Sequence, residues 1–431
     1  MSLRRTLETR QPALESIAVW AFSRLLLWLL VGRHGSDVPF YRDVAERVAA
    51  GGVAYVDFTI DHPPLALMLI RLPEALRSWV GYDTAFRAMM LAVDLGIMLL
   101  LLRLASRAGD GAALEVRVLR LYTWLGALAF PLLYDRVDLA LAAGVLLLAW
   151  CGIRGWSVRA WIILLALPWL NAGAVVLGPF WLLVERFLEG RWPRALARFA
   201  AWAAATFVLV ALAPAILGPG AVSFLLYHWR GPVEIQSVAA IPPLLAHLAG
   251  LSQQVDVSTG ALRLSGPLAR AVSASGLALT IAAVAALWAL IARSAPARPV
   301  EAGGRRRMDI VIGGTITGVM ASLIVSQTLL PQYVLWAAPL ACLAVAVVRN
   351  RRGWAALWSA AVLGSVLGAP LHPEALMRLE PEYVALLIGR NLAFVVLTAW
   401  SVSMTLPPGA WRGMRRPAAP AGVEAGLDRG P

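Results

Sequence analysis

Apolar runs close to the ~20 residues that span bilayer hydrocarbon recur from one end of this chain to the other, parted by short arginine-bearing links. Backbone that crosses lipid must satisfy its own hydrogen bonds, so it is helical or forms a closed barrel. Runs of this length mean helices. The expected fold is therefore an all-α integral membrane protein, a polytopic helical bundle with about twelve spans. A soluble chain of 431 residues would alternate its faces, whereas this one is 60% hydrophobic.

The formal charge of +13 suggests nucleic acid, but its distribution argues for topology. All 38 basic residues are arginine, and they gather in links that alternate across the membrane as the positive-inside rule requires. Nucleic acid is thus not an expected partner; the lipid bilayer is. Cys151 and Cys342 both fall in apolar runs, which leaves no disulfide framework or cysteine metal site. The leader MSLRRTLETRQ reads as a cytosolic segment before the first anchor rather than a cleaved signal.

Taken in order, spans are expected near 15–32, 85–106, 113–132, 138–153, a hairpin 160–187 kinked near Pro168 and Asn171, then 197–217, 271–293, 309–328, 334–349, 354–370 and 384–405. Residues 1–405 form the membrane domain, with a first extracytoplasmic loop at 33–84 and a long one at 218–270. Both termini fall in the cytoplasm of a multi-pass plasma-membrane protein, and the Pro/Gly-rich tail 406–431 reads as disordered. Within the first loop, Pro39 starts an amphipathic surface helix over about 39–50, which Gly51-Gly52 ends. The broken run 63–81 reads as a second surface helix.

Four polar segments then meet on one side: the acidic loop Ser36–Leu65, YDRVD at 134–138, YHWRGPVEIQS in the long loop, and PQY at 331–333. Their convergence is the sequence argument for a site. Sugar transfer from a lipid phosphate needs a carboxylate to take the acceptor proton, cationic charge for the departing phosphate, and apolar walls for the carrier. Asp37 suits the base; Arg42, Arg136 or Arg230 suit the phosphate; Tyr41, Trp229 and Tyr333 suit the sugar face.

Plainer roles compete. Asp37 precedes Val38-Pro39 and can cap the surface helix. Asp43 with Arg47, and Arg42 with Glu46, have the i,i+4 spacing of solvated ion pairs. Asp57 suits a turn, and Asp61 can cap the helix after His62-Pro63-Pro64 or share a cation with His62. Asp135 and Asp138 flank Arg136 as a local ion pair would. Arg24, Asp94 and Arg390 lie within spans and must face inward, toward one another or toward substrate. Asp43 stays open beside Asp37 as the base. No cofactor is called for; a divalent cation is compatible, without a ligand set that stands out.

At these residues the chain resembles the polyprenol-phosphate-mannose-dependent mannosyltransferases, glycosyltransferase family 87 of the GT-C superfamily, from the first span to about Leu343. DVPFYRDVAERVAAGGVAYVDF followed by DHPPLAL is the strongest match, with YDRVDLALAAGVLLLAW, HWRGPVEIQS and TLLPQYVLWAAPL after it. The resemblance implies a GT-C-type bundle that moves a hexose, mannose first, from a polyprenyl-phosphate donor to a glycan or glycolipid acceptor at the extracytoplasmic face, with inversion. It places the catalytic acid on Asp37, further acids on Asp61 and Asp138, and substrate contacts on Tyr41, Arg42, His62, Arg230, Gln236, Gln332 and Tyr333. Asn171 stands where the family commonly has lysine, His62 where it has tyrosine, and Leu330 where it has serine. The competing functions are a transporter or flippase of a lipid-linked sugar, for which an internal repeat is missing, and a non-catalytic scaffold.

Overall fold

A computed structural model describes residues 3–30, 36–108, 112–225, 232–258, 261–294, 304–368 and 370–406. Residues 407–431 of the expected tail and the linker 295–303 lie outside them. The described chain is an all-α polytopic membrane protein with one small β-ribbon.

Six helices are long and apolar enough to cross a membrane: Gln11–Leu30, Tyr82–Ala105, Trp192–Leu217, Pro267–Arg293, Arg305–Val325 and Pro381–Thr405. Each matches an expected span. The other expected spans are helical but shorter or interrupted. Ala112–Leu128, Asp138–Arg154 and Arg351–Leu367 have 17 residues each. The run at 334–349 is broken into a 3₁₀ turn Pro331–Trp336, a short helix Ala338–Leu343 and a further 3₁₀ turn. Pro331 and Pro339 remove amide donors there, and neighbouring elements wrap the freed backbone.

Burial separates centre from rim. In Arg305–Val325, 83% of the apolar window is buried, against 11% for Trp192–Leu217 and 17% for Pro267–Arg293. The first is the hub, packed on Pro381–Thr405 and Leu177–Glu189. The other two carry exposed Phe207, Ile216, Leu279 and Ile281, apolar surface of the kind that faces lipid.

The hairpin breaks where the sequence placed its kink. Ser157–Ala166 passes through a 3₁₀ turn Leu167–Trp169, and extended Asn171 caps the next turn by accepting from the Gly173 amide at 3.0 Å. The chain resumes as Leu177–Glu189.

The first loop forms a lid of short elements over one end of the bundle. Val38–Ala49 is the expected amphipathic helix, with Val38, Tyr41, Val44 and Ala45 buried. The second surface helix is three pieces, Pro64–Arg71, Leu72–Leu76 and Arg77–Val80, because Pro73 breaks the amide ladder. Between them Tyr55 takes a left-handed φ of 68°, hydroxyl donating to the His62 carbonyl at 2.7 Å and carbonyl accepting from the Gly220 amide at 3.0 Å. A Cβ on Gly220 would lie 2.6 Å from that carbonyl, so only glycine permits the approach.

The sequence did not signal the antiparallel ribbon Gln254–Ser258 with Ala261–Ser265. It extends the segment at 233–235 through the Ile235 amide to Leu262 and the Leu264 amide to Val233. Val233, Ile235, Leu244, Leu264, Leu376, Val384 and Leu387 form a second, smaller core beneath it.

Candidate active site

Under the first-loop lid lies a cavity of about 80 Å³ lined by Asp37, Tyr41, His62, Pro63, Ala66, Val137, Asp138, Leu141, Leu170, Asn171, Leu330, Gln332 and Tyr333. Three of the four segments expected to converge meet here: the acidic loop, the link 134–138 and the turn at 331–333. Helix starts do the positioning. Asp37 sits at the N-cap of Val38–Ala49, Asp138 opens Asp138–Arg154, and Gln332 and Tyr333 lie in the turn that Pro331 initiates.

Asp37 makes no side-chain cap bond. Its Oδ2 instead accepts from Arg136 Nη1 in an ion pair and faces the Tyr41 hydroxyl at 3.5 Å. Asp138 is buried and accepts from Trp336 Nε1 at 2.7 Å, and Trp336 stacks on Tyr333 with ring centroids 4.2 Å apart. Asp135 also reaches beyond its own link, accepting from Arg87 Nε at 2.7 Å. Burial draws the Arg136 guanidinium down to about 10, partly offset by the Asp138 carboxylate.

His62 packs edge-on against Tyr41, with centroids 5.4 Å apart. Burial pushes its imidazole down to about 4, so it is neutral at pH 7. Its Nδ1 and the Oε1 of Gln332 are buried without a partner among the described residues. Polar atoms of this kind call for a ligand's hydroxyl groups or for water.

Other candidates lie elsewhere. Arg42 pairs with Asp83 at 3.0 Å rather than with Glu46, which takes Arg77 at 2.8 Å. Asp43 does pair with Arg47, and Asp57 is a turn residue that accepts from the Val53 amide. Asp61 is outside the cavity wall, its carboxyl raised by burial and opposed by the charge of Arg263. Arg230 and Trp229 fall outside the described residues.

Gln236 belongs to a second polar cluster. Its carbonyl accepts from Arg390 Nη1 at 2.6 Å, and neighbouring Glu234 accepts from the Leu329 amide at 3.2 Å. Burial raises Glu234 to about 8 against the opposing charge of Arg390. The cluster holds the Leu329 amide, next in the chain to Leu330 of the cavity wall, and does not line the cavity itself. Sequence spacing gave no sign of Trp336, which only the stack and the long-range hydrogen bond single out.

No group of three or more His, Cys, Asp or Glu poised for a metal occurs among the described residues. Asp37 and Asp138 are the carboxylates in the cavity wall, a donor set thin for a resident divalent ion.

Pro63 and Leu170 in the cavity wall are followed and preceded by Pro64 and Trp169, which line an apolar groove of about 480 Å³ with Met68, Ile162, Leu165, Leu212, Ala213 and Ile216. Polar cavity and apolar groove are thus neighbours along two separate stretches of chain.

No family model matches the sequence, and no curated protein matches it. Among solved structures, the chain is similar to ArnT from Cupriavidus metallidurans in the apo state, at 16% identity over 90% of this chain and 77% of that one, with a TM-score of 0.44. At that score the likeness settles neither the fold nor the activity.

Proposed function

We propose that the protein is a membrane glycosyltransferase of GT-C type. It moves a hexose, mannose by preference, from a polyprenyl-phosphate carrier to a hydroxyl of a glycan or glycolipid at the extracytoplasmic face. The observation that carries this reading is the adjacency of a small polar cavity and a long apolar groove. The cavity offers two carboxylates and two buried polar atoms in want of partners. The groove offers a wall for a prenyl chain. An amphiphile with a sugar-phosphate head and an isoprenoid tail fits both.

Asp37 takes the acceptor proton while the acceptor oxygen attacks the anomeric carbon from the side opposite the phosphate, a single displacement with inversion. Asp138, held by Trp336, and Gln332 orient the sugar hydroxyls, and Tyr41 and Tyr333 supply apolar faces. Neutral His62 offers a donor and an acceptor without competing for the phosphate charge. Should a divalent cation take part, Asp37 and Asp138 are the carboxylates to hold it, and it would supply charge opposite the leaving phosphate.

A flippase would place essential charge mid-span. The mid-span pair Arg24–Asp94 is instead locked, with Tyr134 and Tyr122 both donating to Asp94.

Membranes carrying the wild-type chain, supplied with decaprenyl-phosphate-mannose and a glycolipid acceptor, should transfer mannose. Asp37→Asn should cut the rate by about 10²–10⁴-fold. Full activity in that variant rejects the base assignment. No transfer by wild type from any lipid-linked hexose rejects the reading itself.

A further inference from the structure

The Asp37–Arg136 contact poses a problem for the reaction just proposed. The Asp37 carboxylate that must receive a proton already accepts from the Arg136 guanidinium at Oδ2, which lowers its basicity. Arg136 in turn stands one residue before Val137 and two before Asp138, both in the cavity wall. Its surroundings are those of the site, since Asp138 and Tyr333 are the titratable groups that act on it. Other described arginines near the cavity are committed outward: Arg42 to Asp83, and Arg87 to Asp135.

A guanidinium prefers phosphate to a single carboxylate, because phosphate carries more charge and offers more oxygens in matching geometry. Burial already taxes the charged form of Arg136, so a nearby phosphate has more to offer it than bulk water.

We infer that Arg136 is a catalytic residue that changes partner in each cycle, holding Asp37 while no donor is bound and moving to the donor phosphate when the lipid carrier docks. This rests on the glycosyl-transfer reading. Docking then removes the guanidinium from Asp37 and raises the basicity of its carboxylate. The acceptor O–H bond breaks with its proton going to Asp37, the bond from acceptor oxygen to anomeric carbon forms, and the bond from that carbon to the phosphate oxygen breaks with its electron pair left on phosphate. Arg136 faces the charge gained there. Asp37 sheds its proton to water as the carrier phosphate leaves, and Arg136 returns. An acceptor, or water, arriving before the donor meets a carboxylate whose basicity the guanidinium holds down.

The test is a binding cycle on the full chain in lipid nanodiscs, with sugar-free decaprenyl phosphate as the probe. Asp37 and phosphate compete for Arg136, so Asp37→Asn should bind the probe about tenfold more tightly than wild type. In an Arg136→Gln background the same Asp37 change should have no such effect. Arg136→Lys, which keeps the charge, should retain part of the tightening, and size-exclusion profiles of each variant report whether it is folded. An unchanged affinity in Asp37→Asn, or equal tightening with and without Arg136, overturns the exchange and leaves glycosyl transfer standing. Absence of binding to wild type and to every variant removes both.

Discussion

Trp336 donates its indole N–H to Asp138 Oδ1 at 2.7 Å, with both side chains buried. The bond joins the turn Pro331–Trp336 to the first residue of Asp138–Arg154, and the same indole stacks on Tyr333. One side chain thereby fixes a carboxylate and an aromatic of the cavity wall. Trp336→Phe keeps the ring and drops the donor. A buried carboxylate that loses its partner costs about 1–3 kcal/mol. Thermal unfolding in detergent should show that loss, and transfer should fall with it.

Gln332→Leu should split stability from activity. The amide Oε1 is buried without a partner among the described residues, and Leu fills similar space without that penalty. The unliganded protein should unfold at the same or a higher temperature. The KM for the sugar-phosphate donor should rise about tenfold, since the site loses a polar contact to the sugar. A drop in Tm with an unchanged KM would show Gln332 to be structural.

The Arg24–Asp94 pair should behave as a buried network. Arg24 Nε reaches Asp94 at 2.8 Å, Tyr134 donates to the same carboxylate at 2.7 Å, and a Cβ on Gly126 would lie 2.4 Å from the guanidinium. Asp94→Asn leaves Arg24 buried without its counter-charge and should cost about 3–5 kcal/mol. Arg24→Met combined with Asp94→Asn should recover part of it. Gly126→Ala should destabilise by displacing Arg24. Chemical denaturation of the three variants in detergent checks the order.

His62 gives the fold an acid limb. Its pKa falls from 6.5 to about 4 in the folded chain, so between those values the unfolded chain binds more protons and stability rises with pH. Loss should begin as pH drops below about 6.5 and be complete near 4, with a slope from this group of at most about 1.4 kcal/mol per pH unit. His62→Phe should flatten that limb in a Tm-against-pH series. Glu234 acts in the opposite direction: its carboxyl is raised to about 8, so its contribution is lost as pH rises toward that value.

These residues also show what sequence can and cannot disclose. Span positions were legible because lipid imposes a length and a hydropathy on each helix, and the surface helix at 38–49 followed from Pro39, its apolar stripe and Gly51. The meeting of Asp37, Asp138, Gln332 and Tyr333 followed from placing their links on one side of the bundle. Ion-pair partners were legible only in part: Asp43 took Arg47 and Arg24 took Asp94, both among the pairings the sequence offered. Spacing suggested Arg42 with Glu46, yet Arg42 took Asp83, and the Arg136–Asp37 pair joins positions too far apart for spacing to signal. An i,i+4 pair gains so little that any better-placed charge from a packed element displaces it. The ribbon at 254–265 was hidden for a related reason: its short strands draw their stability from the small core they share with distant helices.

The groove beside the cavity predicts a dependence on carrier length. Leu212 and Ile216 lie on the rim helix Trp192–Leu217 and are exposed at 48% and 72%, so a larger side chain there narrows the groove without overpacking the core. Leu212→Trp should raise the KM for a decaprenyl-phosphate donor about tenfold, the scale set by a few misplaced methylenes. A short farnesyl-phosphate donor reaches the cavity past Pro64 and Trp169 without filling the far end, and its KM should stay unchanged. The ratio of the two constants cancels any general damage to the protein. If both donors weaken together, the substitution acts on the fold; if neither does, the prenyl chain runs elsewhere along the bundle.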